Sequence, residues 1–492
     1  MGCSLKFGLR TSRSRTSRYT LDRDCRWNMR NALGLMMMVV VWFWQFAAPQ
    51  SGLANGDDSC CWLAAAGAVI ITPTEPLWMG GYAARDKPSD GKVHDLFAKV
   101  LVVEDLTGHR LVIVTADLLG ITRELRTAIE TQVQQYGVGR GNLLLNASHT
   151  HCGPELRSDR LLRLGIDARY AALSQQYVRL ISKRIAKLVG EVVSRIEPAR
   201  LVYSYARAGF AMNRRLPTEK GFINSPNPDG PTDHQVPVLR VENAAGELKS
   251  ILFGYACHAT TLSIQQLCGD YPGFAQQYLE EAHPGVVALF MNGCSADQNP
   301  YPRRTLDLAR QHGRALANGV ETALMTKNQK QLRGSLKVDL QNVTLRFADP
   351  PTRSELEKEL ASGNKYIRIH AQGLLDELDA RGEIQIIFDH FPIQVAQFGN
   401  DLTLVGICGE AVVDYSLRCK KELSGNSGNA VWVAGYCNDV FGYLPSKRVL
   451  LEGGYEAGAA MRYTTFPGPF DESVESRIVA GIHELVLKVR SE

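Results

Sequence analysis

The sequence predicts an α/β protein of layered mixed sheets flanked by helices, a single large catalytic domain with a metal site at its strand ends. Three observations lead there. Apolar runs of strand length alternate with amphipathic helical stretches over residues 64–325, which is the pattern of layered α/β folds. A chain of 492 residues with 45% hydrophobic and 22% charged content can bury a large core. Four of the apolar runs also end in a polar side chain of the kind metals bind. Residues 142–147 lead into His149 and His151, residues 250–257 into His258, residues 402–408 into Gly409-Glu410, and residues 431–437 into Asn438 and then Phe441-Gly442-Tyr443.

The first 54 residues stand apart from this pattern. Arg10, Arg13, Arg15, Arg18, Arg23, Arg26 and Arg30 precede an apolar stretch at 34–48, and small residues ending in Gly52-Leu53-Ala54 follow. A basic segment, a short apolar core and small residues describe a secretory signal peptide, with Met29 as a plausible start and Ala54 as a cleavage end. The alternative is an uncleaved anchor, although a spanning helix takes about 20 apolar residues. The expected location is therefore outside the cytoplasm, periplasmic or secreted, and membrane-anchored if the signal is not cleaved. The net charge of +4 comes largely from this segment. The remaining chain, residues 55–492, is near neutral, so a nucleic-acid partner is not expected.

Along that chain, residues 64–73 read as the first strand. Met79-Gly80-Gly81-Tyr82 follows as a turn whose glycines let backbone approach a ligand closely. Residues 97–105 and 110–117 are two strands joined by a tight connection, and residues 123–136 form a helix that Gly137 stops. The most persuasive helix covers 170–196, where Leu173, Tyr177, Leu180, Ile181, Ile185, Leu188 and Val192 recur at steps of three and four. A strand at 200–206, a polar exit at 211–215 and a surface loop at 224–233 come next. Residues 236–243 and 250–257 pair as strands. A helix at 270–282, a strand at 286–291 and a helix at 305–325 complete this half. Residues 353–382 are charged and helical, the best candidate for a flap over the core. Strands return over 385–410, a helix covers 411–421, and an amphipathic helix covers 472–490. No repeat or long linker divides the chain.

Zinc prefers tetrahedral nitrogen, oxygen and sulfur ligands, and catalytic sites keep one position for water. Two histidines, a carboxylate and a tyrosinate suit it. A strand-end histidine alone is more often a packing residue, and a glutamate opening a helix can simply complement the helix dipole. Jointly, the four exits favour a site. His109, His283, His312, His370 and His483 lack such a setting, and His94, His234 and His390 stay open. Of the 11 cysteines, Cys257, Cys294, Cys408 and Cys437 sit at apolar runs as small core residues. A Cys257–Cys268 bridge is left open. Cys152 is not favoured as a nucleophile, because the adjacent histidines are committed elsewhere.

The motif Ser148-His149-Thr150-His151-Cys152-Gly153-Pro154 resembles the T-H-T-H-S-G-P motif of the neutral/alkaline non-lysosomal ceramidase family. The likeness continues in order through Met79-Gly-Gly-Tyr82, Asn213-Arg214, Cys257-His258-Ala-Thr260, Asn292-Gly-Cys-Ser295, Gly409-Glu410, Gly442-Tyr443 and Tyr455-Glu456. The resemblance implies one zinc ion per chain, held by His149, His258, Glu410 and Tyr443. It implies hydrolysis of the amide of ceramide or a related N-acyl compound by a zinc-activated water. His151 and Tyr455 would supply hydrogen-bond donors to the developing oxyanion, and Arg214 would hold the substrate or an active-site carboxylate. The implied partner is a lipid or small N-acyl substrate, with peripheral membrane contact. Cys152 stands where the family has Ser, Cys294 interrupts its Asn-Gly-Asp-Val-Ser pattern, and the family's carboxy-terminal immunoglobulin-like domain is not evident. These departures bear on the substrate more than on the metal chemistry. Two other readings stay open, a zinc hydrolase of unrelated esters or amides and an inactive surface-binding homologue. Oligomeric state is not readable from the sequence.

Overall fold

A computed structural model describes residues 60–425 and 428–491. The signal-peptide reading of residues 1–54 lies outside the described residues. The first half contributes β1 (Trp62–Ile70), β2 (Phe97–Asp105), β3 (Arg110–Ala116), β4 (Leu143–Ala147), β5 (Glu197–Arg207), β6 (Ala211–Thr218), β7 (Gly221–Asn227), β8 (Gln235–Asn243), β9 (Leu248–Tyr255), β10 (Val287–Asn292), β11 (Gln298–Pro300) and β12 (Lys330–Gln331). Its helices are α1 (Arg123–Val133), α2 (Ser158–Arg163), α3 (Ala168–Val193), α4 (Asp270–Ala282) and α5 (Leu306–Met325). The second half adds β13 (Leu336–Arg346), β14 (Ile387–Phe398), β15 (Leu402–Ile407), β16 (Glu410–Ala411), β17 (Ala430–Ala434) and β18 (Tyr443–Leu444). With them come α6 (Arg353–Glu359), α7 (Lys365–Arg381), α8 (Val413–Leu423), α9 (Lys447–Glu452) and α10 (Val474–Ser491).

The large sheet runs β10-β9-β8-β5-β1-β2-β3-β4, with β12 beside β5, and the second sheet runs β13-β14-β15-β17. Both are mixed. β3–β4, β9–β10 and β15–β17 pair parallel, and the other neighbours within these two sheets pair antiparallel. The two sheets face each other through Trp62, Leu101, Leu144, Leu252 and Leu289 on one side and Phe398, Leu404 and Trp432 on the other. Each outer face is covered by helices, α1, α3, α4 and α5 on the large sheet and α8 and α10 on the smaller. The result is four layers, helix, sheet, sheet, helix, as the alternation of elements predicts.

Local chemistry accounts for the element ends. Asp167 opens α3 by accepting a hydrogen bond from the Arg169 N–H, and Thr305 opens α5 by accepting one from Leu308. Along α3, Tyr177, Ile181, Ile185, Leu188 and Val192 are buried as their spacing predicts, whereas Leu180 points outward, 40% exposed. The stripe is narrower than expected, because α3 lies on one sheet face with α1 and α2 beside it.

Several expectations change. The polar exit at 211–215 is strand β6, and part of the loop at 224–233 is its hairpin partner β7. Their polar side chains belong in a strand because this small sheet, β11-β6-β7, carries the site rather than a core. Strand β13 is not anticipated, since its alternation is weak and much of it is only half-buried. Residues 353–382 form two helices, α6 with a capping box at Thr352 and Glu355, and α7. The start of α7 does reach the site region, where the Tyr366 hydroxyl donates to the Ala83 carbonyl at 2.5 Å. Cys257 and Cys268 are free thiols, so they form no bridge. No helix among the described residues is long and apolar enough to cross a membrane.

The crossing of α4 and α5 supplies a test of this packing. A Cβ on Gly313 would lie 2.6 Å from Phe274 Cβ and 3.0 Å from the Tyr271 carbonyl oxygen. Gly313→Ala should therefore destabilise the protein by about 1–3 kcal/mol despite the better helix propensity of alanine, read as a lower midpoint in urea unfolding.

Candidate metal centre

Strand ends from both halves deliver the site. The chain leaving β4 does not stay extended, as a simple His-x-His strand would. His149 takes a left-handed backbone with φ of 61°, which costs about 1–3 kcal/mol for such a residue and persists only when the surroundings over-determine it. What holds it is on either side. The Ser148 N–H donates to the Ala116 carbonyl at 2.9 Å, and the His151 N–H donates to the Ala259 carbonyl at 3.2 Å. The turn swings His149 and His151 together, with their Nε2 atoms 3.1 Å apart.

His258 follows β9, its N–H donating to the Gln298 carbonyl at 2.9 Å. The ligand-capable atoms of His149, His151 and His258 lie within 4.8 Å of one another, and all three residues are buried. Such a group can hold a metal ion. Glu410 opens the short strand β16, paired in parallel with Tyr443 of β18. The preceding Gly409 has φ of 73°, and a Cβ there would meet the Phe441 ring at 2.8 Å, so glycine is required at this turn. Glu410 Oε2 reaches His149 Nε2 at 3.2 Å and His258 Nε2 at 3.4 Å.

The hydrogen bonds separate the three histidines. His149 Nδ1 faces the Leu119 carbonyl at 2.5 Å, and His258 Nδ1 faces the Ser295 carbonyl at 2.7 Å. A carbonyl only accepts, so each Nδ1 carries a proton, and Nε2 is the nitrogen that each ring turns towards Glu410. Metal-bound histidines are usually oriented in this way. His151 differs, for its buried Nδ1 has no partner. It is held by packing instead, against the Tyr82 ring at 4.9 Å and over Gly81, where a Cβ would sit 2.5 Å from Nδ1. His258 Nε2 and Glu410 Oε2 are buried without a well-formed hydrogen bond. Two lone-pair donors aimed at one place beside a carboxylate fit a cation, so the residues present suit a metal of the borderline-soft kind.

Electrostatics follow from burial. Burial pushes the His258 pKa down to about 4, with Arg214 adding to the effect. Burial and the neighbouring histidines hold His151 well below the ordinary histidine value. Both rings are thus neutral at pH 7. Burial opposes ionisation of Glu410, but His149 and His258 outweigh it and keep its carboxyl well below the usual range.

Tyr443 and Tyr455 pack at 5.2 Å, edge to face. The Tyr443 ring also stacks on His258 at 6.4 Å and 12°. Arg214, buried, donates from one terminal nitrogen to the Tyr443 oxygen at 3.0 Å and from Nε to Glu456 Oε1 at 2.8 Å. Arg215 takes the other Glu456 oxygen at 2.7 Å. All seven residues singled out from the sequence therefore belong to one constellation. Sequence reasoning missed the structural parts of Glu456, Tyr436 and Gly81. Tyr436, also left-handed at φ of 54°, packs on the His149 ring at 4.5 Å. Nothing in residue type or spacing signals that role. Cys152 is fully buried and its thiol is pushed up to about 12 by burial, which makes it a core residue.

A cavity of about 260 Å³ opens on this constellation, lined by His149, His151, Glu410, Tyr443 and Tyr455 and by apolar Leu119, Leu156, Val440 and Met461.

Residues 65–301 match the family model described as neutral/alkaline non-lysosomal ceramidase, N-terminal. His149, His151, Arg214 and His258 fall inside the matched segment, and Glu410, Tyr443 and Tyr455 fall outside it. The chain is 25% identical over 258 residues to neutral ceramidase A of Dictyostelium discoideum, covering 48% of this chain and 35% of that protein. It is 24% identical over 262 residues to the neutral ceramidase of Pseudomonas aeruginosa, covering 50% of this chain and 38% of that protein. It thus spans little more than a third of these curated relatives. In three dimensions it is similar to the crystal structure of the Pseudomonas aeruginosa neutral ceramidase, with a TM-score of 0.68 at 19% identity over 88% of this chain and 75% of that one. A ceramidase complexed with C2 gives a TM-score of 0.67 at 20% identity, over 87% and 76%. At such identities the likeness establishes the fold.

Asp297 gives a pH test of how the site is supported. It is fully buried, accepts from the Val413 N–H that opens α8 at 2.9 Å, and accepts from Asn213 Nδ2 at 3.2 Å. Burial pushes its carboxyl up to about 7, so between pH ~4 and ~7 the folded state holds a proton that the unfolded chain releases. The stability this confers is full below the unfolded pKa and is lost as pH rises through the folded one. Relative to Asp297→Asn, the wild type should lose stability from pH 4 to 7 and change no further above 7, measured as the difference in urea midpoints.

Proposed function

The chain belongs to the neutral/alkaline non-lysosomal ceramidase family, and from that premise we propose that it is an exported zinc hydrolase cleaving the amide bond of ceramide or a related N-acyl compound. In this reading residues 1–54 are a signal peptide that is removed, and residues 55–492 are the hydrolase domain. One observation carries it. His149 and His258, each fixed through Nδ1 to a backbone carbonyl, aim Nε2 at a single buried carboxylate oxygen of Glu410.

His149 Nε2, His258 Nε2, Glu410 and the Tyr443 oxygen would hold the zinc ion, one per chain. When bound, the ion supplies a Lewis acid that polarises an acyl carbonyl and lowers the pKa of water towards ~7. The chain's own groups do the rest. Burial raises the Tyr443 phenol well above its usual value, and Arg214 opposes this by donating to its oxygen. Glu456 neutralises Arg214, so that the guanidinium supports an anionic oxygen at no cost of an unpaired buried charge. His151, neutral and unoccupied at Nδ1, can carry its proton on Nε2 and donate to the developing oxyanion. Burial pushes the Tyr455 phenol up to about 12, so at pH 7 it is protonated and can donate to the oxyanion or the leaving amine. The apolar wall of the cavity receives acyl carbons and excludes water.

One observation favours a second reading of the substrate. The cavity, about 260 Å³, is smaller than the ~300–1,000 Å³ typical of ligand sites. A small or short-chain amide or ester, unrelated to sphingolipids, fits this space more readily than a whole long-chain lipid.

Metal content and acyl-amide hydrolysis on one preparation test the proposal. The expected result is about one zinc per chain with fatty-acid release, both lost in His149→Ala and in Glu410→Gln. His151→Gln should keep its zinc and lose roughly 10²–10³ in kcat, the usual consequence of removing one oxyanion donor. Gly81→Ala, which displaces the His151 ring, should do the same to a smaller degree. Zinc bound without turnover of any acyl amide or ester would overturn the hydrolase reading.

A further inference from the structure

The amide chemistry above makes no use of a charged wall in the same cavity. Glu155, Arg157 and Arg160 line it together with His149, His151 and Glu410. They come directly after the His-Thr-His-Cys-Gly-Pro turn and are carried into place by the start of α2. Arg157 takes both Glu155 oxygens, from Nε at 2.8 Å and from a terminal nitrogen at 3.2 Å, and its own backbone N–H adds a third bond at 3.1 Å. That carboxylate is thereby committed. Arg160 reaches Glu155 Oε2 only at 3.7 Å, too long for a hydrogen bond. No other hydrogen bond from its guanidinium is found among the described residues. Its side chain is 21% exposed, towards the cavity it lines.

The charges facing this space do not balance. Glu410 is engaged by His149 and His258, and Glu155 by Arg157. Arg214, behind the tyrosines, is matched by Glu456. On this wall two guanidiniums, Arg157 and Arg160, share the single carboxylate of Glu155, which leaves the wall one positive charge in excess. Burial and the like charge of Arg157 pull Arg160 below the ordinary guanidinium value, with Glu155 offsetting this in part. An anion beside Arg160 would relieve both effects. A neutral headgroup would leave a half-buried cation with no hydrogen-bonded anion, which is unfavourable.

We propose that Arg160, backed by Arg157, seats an anionic group on the amine portion of the substrate. The compound cleaved is then an N-acyl amide carrying a carboxylate or a phosphate, and the acyl chain lies along Leu119, Leu156, Val440 and Met461. This rests on the hydrolase reading above and narrows its substrate class. The Arg160 guanidinium acts by binding the anion through charge-assisted hydrogen bonds; the bond broken and the water consumed are those of ordinary amide hydrolysis.

Three compounds with one acyl chain decide it: N-dodecanoylglycine, N-dodecanoylethanolamine phosphate and neutral N-dodecanoylethanolamine. For the zinc-loaded protein, kcat/KM should be at least about tenfold higher for an anionic member than for the neutral one, the worth of one charge-assisted hydrogen bond. Which anionic member is favoured separates carboxylate from phosphate. Arg160→Gln should remove about tenfold of that preference, mainly through KM, Arg160→Lys should keep most of it, and added salt should weaken it. Equal turnover of all three by the wild type, or an Arg160→Gln loss equal for all three, would overturn the proposal. If ceramide is cleaved and none of the three is, the proposal is overturned while the hydrolase reading stands. If no acyl amide or ester is cleaved, the hydrolase reading fails, and calorimetry with N-dodecanoylglycine then judges the subsite alone. Binding weakened about tenfold by Arg160→Gln would sustain it, and equal or absent binding would overturn it.

Discussion

The structure turns on a buried carboxylate. Glu410 is enclosed by His149 and His258, and burying an ionised group costs several kcal/mol unless charge or hydrogen bonds compensate. His149 and His258 offset part of that cost, but His258, held by burial near a pKa of about 4, is neutral at pH 7 and brings no charge of its own. A cation is the one partner that satisfies two lone pairs and a carboxylate at once. The fold is arranged to make those three atoms meet. His149 leaves the large sheet, and Glu410 leaves the end of the second sheet. The meeting point is therefore built from strand ends of both sheets.

Asn146 shows how the sheets are locked there. Its side-chain amide donates to the Gly435 carbonyl at 2.8 Å, and its oxygen accepts from the Asn292 N–H at 2.9 Å. One fully buried side chain thus ties the strand before His149 to the strand after His258 and to the chain that leads to Tyr443. Arg214 does the same for the polar side of the site, spanning Tyr443, Glu456 and Asn299 from a strand that the sequence pattern reads as a polar exit. A fully paired network of this kind defines one geometry, because any displacement leaves a buried group without its partner.

Much of this was legible in the residue pattern, for a physical reason. His258 and Glu410 sit where apolar runs end, and apolar runs mark buried strands, so their exits had to converge near the sheet edges. The large helices were legible as well, since Tyr177, Ile181, Ile185 and Val192 repeat with the helical period. Other features left no such mark. The left-handed backbone of His149 and Tyr436 is enforced by hydrogen bonds from distant strands, which no local spacing encodes. β6 and β7 carry polar residues because their sheet supports a site, and alternation rules assume a core. Nothing in the local spacing of Arg157 and Arg160 marks them as lining the cavity.

The division of labour between the two histidines of the motif also rests on what lies behind them. Proximity alone would choose His149, His151 and His258 as three equal ligands. The Nδ1 atoms argue otherwise. A ring pinned to a carbonyl has one tautomer and one direction, which suits a permanent ligand. The His151 Nδ1 lacks that pin and lies against the Cα of Gly81 in space that any Cβ would fill. Its ring is positioned by shape, and no acceptor pins a proton on Nδ1. A group that must give a hydrogen bond to an oxygen as charge develops there, and then recover, benefits from that freedom. The same short motif thus supplies one imidazole whose tautomer is set by the backbone and one whose proton remains free to serve the substrate.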